Sequence, residues 1–194
     1  MQPFPELETT RFYIKQIKAA DQPFIFEGLS HQQVIPFYGV RYYTLKATKV
    51  QMEFYETIWK EKTGCWWKIV NKETNKSVGA CGINFYNPEH EKAEIGYWLL
   101  PKYWKKGIMP EVLPEMIRHL FNTWKLHRLE AVVETGNEAS SKLLVKLGFV
   151  REGILREALT SLYNVFNITR QTLREAGPEI AKGPKSLGAI AIDV

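Results

Sequence analysis

Apolar and polar residues alternate from Arg11 to Ile17 (RFYIKQI), with Phe12, Ile14 and Ile17 as the apolar set, and this predicts a strand. Asp21 then stands where a helix cap belongs, ahead of Phe24, Ile25, Phe26 and Leu29 on a short helix. Residues 30–44 follow no period and are rich in Tyr, Phe and Pro. From 46 to 62 the helical period returns, with Val50, Phe54 and Ile58 on one face and Lys or Glu elsewhere. Three strands follow in a meander: Cys65 to Asn71, Ser77 to Tyr86 and Lys92 to Leu100. Polar turns at Lys72–Lys76 and at Asn87-Pro88-Glu89 separate them. Residues 108–124 read as an amphipathic helix in which Pro114 either kinks the axis or marks the true first turn. A buried strand at Arg128 to Thr135 comes next, then a helix from Asn137 to Leu147 closed by Gly148. Two strands, Phe149 to Glu152 and Thr160 to Leu173, complete the pattern.

A helical N-terminal half, an antiparallel meander and then strand–helix–strand make a mixed α/β domain. The 194 residues suit one domain, expected over 1–174, followed by a tail over 175–194 that is a flexible arm or a docking segment. An apolar content of 45% and a charged content of 24% are ordinary for a globular chain. The net charge of +5 favours a polyanionic partner, but Lys and Arg are scattered among Glu and Asp, which disfavours nucleic acid. No window approaches 18 apolar residues, and the N-terminus has neither a basic nor an apolar leader region, so a cytoplasmic protein without membrane contact is expected. Cys65 and Cys81 lie in apolar strands without CxxC spacing and read as reduced core residues. His31, His90, His119 and His127 form no ligand pair, so no metal is expected. Leu187, Ile190, Ile192 and Val194 give the tail an apolar end suited to a partner subunit, a homodimer being one option.

Candidate chemistry concentrates between residues 101 and 111. A strand breaks at Pro101, a basic turn surrounds Gly107, and a helix is entered through Pro110. Turn and first-turn N–H groups, the helix dipole, and Lys105 and Lys106 direct positive potential at one spot, which suits a phosphate.

Two blocks carry a family resemblance: Glu94-Ile95-Gly96-Tyr97-Trp98-Leu99-Leu100-Pro101 running into Trp104-Lys105-Lys106-Gly107-Ile108-Met109-Pro110-Glu111, and Asn137 through Phe149 followed by Glu152-Gly153. In this order they resemble the GNAT N-acetyltransferases, most of all the branch that acetylates ribosomal-protein N-termini. The opening Leu7-Glu8-Thr9-Thr10-Arg11-Phe12 resembles that branch too. The resemblance implies a mostly antiparallel central sheet of about seven strands with helices on both faces, and acetyl-CoA as co-substrate. It implies a diphosphate held by the loop, through Lys105, Lys106, Gly107, Ile108, Met109 and Pro110. In the family's (Arg/Gln)-x-x-Gly-x-(Gly/Ala) loop, Trp104 takes the first position here and Met109 the last, so only Gly107 is kept and backbone contacts must serve. Met109 must then point away from the phosphates. The pantetheine arm would pair with backbone at Tyr97, Trp98 and Leu99, and with Asn137.

For proton traffic the resemblance implies Ser140 as the acid for the departing thiolate, where many relatives use a tyrosine. Asn137 and Ser140 also form an ordinary helix cap. Glu94 is the candidate base, with Glu130 and Glu134 as competitors and a partly buried ion pair as its alternative role. Lys146 either reaches the 3′-phosphate end or is a surface lysine. The acceptor would enter beside residues 30–45 (His31, Phe37, Tyr38, Arg41, Tyr42, Tyr43) and Leu162–Phe166. A protein N-terminus attacking directly in a ternary complex is the leading expectation. A polyamine or antibiotic amine, or a non-catalytic CoA- or RNA-binding module on the same fold, are the alternatives.

Overall fold

In the computed structural model, which describes residues 3–158 and 161–175, eight strands form one sheet. They are β1 (Leu7–Glu8), β2 (Phe12–Gln16), β3 (Cys65–Asn71), β4 (Ser77–Asn87), β5 (Lys92–Leu99), β6 (Arg128–Glu134), β7 (Val150–Ala158) and β8 (Ser161–Thr169). The helices among the described residues are α1 (Gln22–Leu29), α2 (Lys49–Lys60), α3 (Ile108–Thr123), α4 (Glu138–Lys146) and α5 (Arg170–Glu175). The sheet order is β1-β2-β3-β4-β5-β6-β8-β7, mostly antiparallel, with β5 and β6 parallel across the α3 connection. The mixed α/β expectation holds. The strand beyond the expected seven is β1, whose Leu7 and Glu8 pair with Ile14 and Tyr13. The expected tail lies outside the described residues from 176 onward.

By its internal contacts the chain divides into two units, one running to Phe85 and including Gly96–Tyr103, the other comprising Tyr86–Ile95 and the chain from Trp104. In the first unit, Phe12 and Ile14 of β2 are buried while Tyr13 and Lys15 are half-exposed, as strand alternation requires. The central strand β3 is apolar on both faces and buries Cys65, Trp66, Trp67, Ile69 and Val70. Cys65 and Cys81 are fully buried free thiols, and burial pushes the pKa of each upward.

Two expectations for this unit need correction. Asp21 precedes α1, but its carboxylate does not cap that helix. It accepts from the Lys18 N–H at 2.8 Å and from Lys68 Nζ at 2.6 Å, so the half-buried lysine and the preceding tight turn claim both oxygens. On α2 the inward face is Gln51, Tyr55 and Ile58, whereas Val50 and Phe54 are 64% and 39% exposed. Ile58 lies four residues past Phe54 and three past Tyr55, so it closes either row, and burial follows the one that carries an amide and a phenol.

In the second unit, α3 buries Ile108, Met109, Val112, Leu113, Met116, Ile117, Leu120 and Phe121, a stripe at the helical period. Pro114 is buried inside α3 and does not mark its first turn, because the helix already starts at Ile108. Helix α4 closes as expected near Gly148, whose φ of 84° lets the Phe149 N–H reach the Leu144 carbonyl and the Gly148 N–H reach that of Val145. Strand β7 extends to Ala158, well past Glu152. Strand β8 stops at Thr169 rather than Leu173, because Thr169 and Thr172 exchange N–H to Oγ1 bonds of 2.8 and 3.2 Å, a reciprocal cap that starts α5.

Candidate active site

After β5, a tight turn over Pro101–Tyr103 is fixed by the Tyr103 N–H donating to the Leu100 carbonyl at 2.9 Å. Lys105 and Gly107 then both adopt left-handed backbone, with φ of 61° and 62°. Two such residues flanking Lys106 curl the chain into a concavity of the kind that faces N–H groups toward an anion. Gly107 is also the residue from which α3 starts, without a side-chain cap. The N–H groups of Ile108 and Met109 therefore have no acceptor inside the helix, and the positive end of its dipole coincides with them. Pro110 follows and brings no N–H. Lys105 and Lys106 are exposed, while Ile108 and Met109 are 3% and 1% exposed. The thioether that replaces a small residue in the family's loop is thus turned into the core.

The β5–β6 ladder lies in the same unit as this loop. It pairs Lys92 with Arg128, Ala93 with Leu129 and Glu94 with Glu130, and goes no further, although both strands continue. Glu94 stands at the last rung, facing Glu130. Burial, and then the Glu130 charge, raise its pKa above the ordinary 4.5. Among the described residues Glu94 has no ion-pair partner; that role falls to Glu130, which accepts from Arg128 Nε at 2.7 Å. Arg128 also grips Glu152 through both terminal nitrogens, which holds the Glu152 carboxyl below its usual range and raises the guanidinium pKa. Glu134, the other competitor, sits half-buried at the far end of β6.

On α4, Asn137 is the N-cap and its Oδ1 accepts the Ser140 N–H at 3.0 Å. Ser140 is 6% exposed and lies on the buried side of the helix with Leu143 and Leu144. Lys146 is exposed in the last turn, at the opposite end of α4 from Asn137. The second unit thus holds Glu94, the 105–110 loop, Asn137, Ser140 and Lys146, while Tyr97, Trp98 and Leu99 belong to the first. Of these three, Trp98 and Leu99 are each 4% exposed.

The first unit also contains a polar cluster that the sequence pattern did not reveal. Tyr38, Tyr42, Gln51, Tyr55 and Trp98 bring their polar groups into one region, with the Tyr42 hydroxyl donating to Gln51 Oε1 at 3.0 Å, and the Trp66 ring packs against Tyr38 and Tyr55. Tyr38 and Tyr42 fall in the expected acceptor segment. Gln51, Tyr55 and Trp66 were missed, and the available signal was the 51–55–58 spacing, a helical row that competes with 50–54–58. Burial raises the phenol pKa of Tyr38, Tyr42 and Tyr55, so all three stay neutral. Among the described residues, no group of three or more His, Cys, Asp or Glu could hold a metal ion, and no helix is long and apolar enough to cross a membrane.

Comparisons with known proteins point to one family. A family model described as the acetyltransferase (GNAT) domain matches residues 11–150. The uncharacterized N-acetyltransferase YoaA of Bacillus subtilis (strain 168) is 36% identical over 155 residues, covering 79% of this chain and 88% of its own. The ribosomal-protein-serine acetyltransferase of Escherichia coli (strain K12) is 30% identical over 93 residues, 47% of this chain and 52% of its own. The crystal structure of spermidine N-acetyltransferase from Vibrio cholerae with CoA and spermine has the same fold, with a TM-score of 0.77 at 16% identity over 85% of this chain and 99% of that one. The chain therefore belongs to the GNAT acetyltransferase family and is an acetyl-CoA-dependent N-acetyltransferase.

Proposed function

We propose that the acceptor is the α-amine of a protein N-terminus, of the ribosomal-protein kind, and that it attacks acetyl-CoA directly in a ternary complex. In this reading the backbone of Lys105–Met109, helped by the two exposed lysines, holds the diphosphate. The backbone of Tyr97, Trp98 and Leu99 and the amide of Asn137 orient the pantetheine arm, and Lys146 is available to the 3′-phosphate. Ser140 returns a proton to the leaving thiolate, whose low proton affinity asks little of the acid.

Glu94 carries the choice of acceptor. It is an unpaired, half-buried carboxyl at the end of the β5–β6 ladder, and its pKa is raised by burial and by Glu130. A base moved upward from the carboxylate range comes closer to an α-amine, with a pKa near ~7.7–8, than to an alkylamine near ~10.4. The ribosomal-protein-serine acetyltransferase among the relatives agrees with that class. The spermidine enzyme motivates the second reading, a small polyamine acceptor.

Release of CoA thiol, measured over unblocked peptides, spermidine and an aminoglycoside, decides between them. The proposal expects a peptide to give the highest kcat/KM by about tenfold or more. A spermidine rate above that of every peptide would transfer the enzyme to the polyamine class.

A further inference from the structure

In the second unit, the sheet face that carries Glu94 stays open beyond it. Strand β6 lies between β5 and β8, and its alternation puts Glu130, Val132 and Glu134 on the side that Glu94 faces. Val132 is 40% exposed although its strand is an interior one, whereas Ala131 and Val133 on the opposite face are 2% and 7% exposed. The register carries this position across three strands: Val132 stands beside Val165 of β8, and Val165 beside Gly153 of β7. A Cβ built at Gly153 would meet nothing within 4 Å. One rung further, Glu134 stands beside Tyr163, and Tyr163 beside Leu155, which is 45% exposed. A shallow apolar row thus begins where the β5–β6 ladder ends.

Carboxylates stand at both ends of the row. Glu130 is neutralised by Arg128, whose Nε donates to it at 2.7 Å. Glu94 and Glu134 have no ion-pair partner among the described residues. A ligand lying along the row therefore meets negative potential at its reacting end and again about 13 Å away, the length of four strand residues. The surface between is aliphatic. The complementary ligand carries two positive charges joined by an apolar stretch. A peptide does so with its α-amine at Glu94, an apolar second residue on the row, and Lys or Arg at the third. An extended chain advances about 3.3 Å per residue, and the long basic side chain covers the remaining distance over the apolar surface.

We propose that Glu134 is a specificity-determining residue, which binds a positive charge at the third residue of the acceptor, and that Val132, Val165 and the open position at Gly153 receive the apolar second residue. The inference rests on the N-terminal-acceptor reading above and names the kind of N-terminus that is acetylated. Glu134 then takes no part in proton transfer, which stays with Glu94.

The test uses the full-length protein, acetyl-CoA and unblocked tetrapeptide amides that differ only at the third residue, lysine against its neutral isostere norleucine. The lysine peptide should have a kcat/KM about fivefold higher, and Glu134→Gln should bring that ratio close to one while leaving the norleucine peptide unchanged. A merely structural role for Glu134 would slow both peptides alike. Gly153→Val should leave the melting temperature unchanged, because its side chain enters empty space. It should raise KM about fivefold for peptides with leucine at the second residue and spare those with glycine there. A lysine preference that is absent from the wild type, or that survives Glu134→Gln, would overturn the assignment of Glu134. A leucine peptide indifferent to Gly153→Val would overturn the apolar row. Spermine outrunning every peptide, with a loss in Glu134→Gln that a monoamine does not share, would defeat the N-terminal reading and leave the second-cation site standing.

Discussion

The first unit gathers half-buried phenols, a buried amide and a buried indole around Tyr55, whereas the second half-buries carboxylates and a guanidinium around Glu94 and Arg128. Both arrangements take polar groups out of water, but the cost falls differently. Phenols with raised pKa values stay neutral across the working range, so the first cluster is indifferent to pH and sensitive to shape. In the second cluster the Glu94 carboxyl is moved up and that of Glu152 down, so this is the cluster in which charge changes with pH. Shape and charge are thereby divided between two kinds of chemistry.

The contrast can be broken from either side. Gly28→Val should have the largest effect on stability, since its first added carbon already overlaps the Trp98 ring. The expected cost is about 1–3 kcal/mol, or roughly 2–12 °C in melting temperature, read by calorimetry and independent of pH between 5 and 8. Arg128→Leu removes the shared partner of Glu130 and Glu152. Solvent screening of this partly exposed group limits the loss to about 1 kcal/mol at neutral pH. Arg128 holds the Glu152 pKa down, so the stability it contributes is present above the unfolded pKa and fades as pH falls through the folded one. The difference between wild type and variant should therefore shrink on acidification.

Glu94→Gln should change stability least and the rate profile most informatively. The Glu94 pKa is raised in the fold, so the protonated form suits the native state, and stability is lost as pH rises from the ordinary value through the raised one. Replacing the carboxyl with an amide should leave the neutral-pH melting temperature equal or slightly higher. In the same variant the acid limb of the kcat/KM profile should disappear. A limb that persists unchanged would acquit Glu94 as the base.

The legibility of this chain follows the origin of each signal. Helix α3 was readable because Ile108 through Phe121 form one broad apolar stripe and burial simply follows it. The 105–111 loop was readable because glycine and prolines punctuate a strand-to-helix change, and the structure adds the left-handed Lys105 that no propensity announces. The α2 face was misread because Val50–Phe54–Ile58 is the more apolar row, while Tyr55 packs against Trp66 and Gln51 accepts from Tyr42. Helix α5 was missed because its cap uses threonine at both ends of the box instead of the usual Glu or Gln. The polar cluster of the first unit was invisible for a different reason: its members come from four separate segments, and only folding brings them together.

Both cysteines lie sealed in adjacent strands of the first unit, with their ionisation suppressed by burial. Nucleophilic exchange requires a thiolate at an accessible sulfur, so neither competes for a disulfide reagent while the protein is folded. A colorimetric readout of liberated coenzyme therefore reports turnover without a background from the enzyme, and the slow appearance of two further equivalents would clock unfolding in the same cuvette.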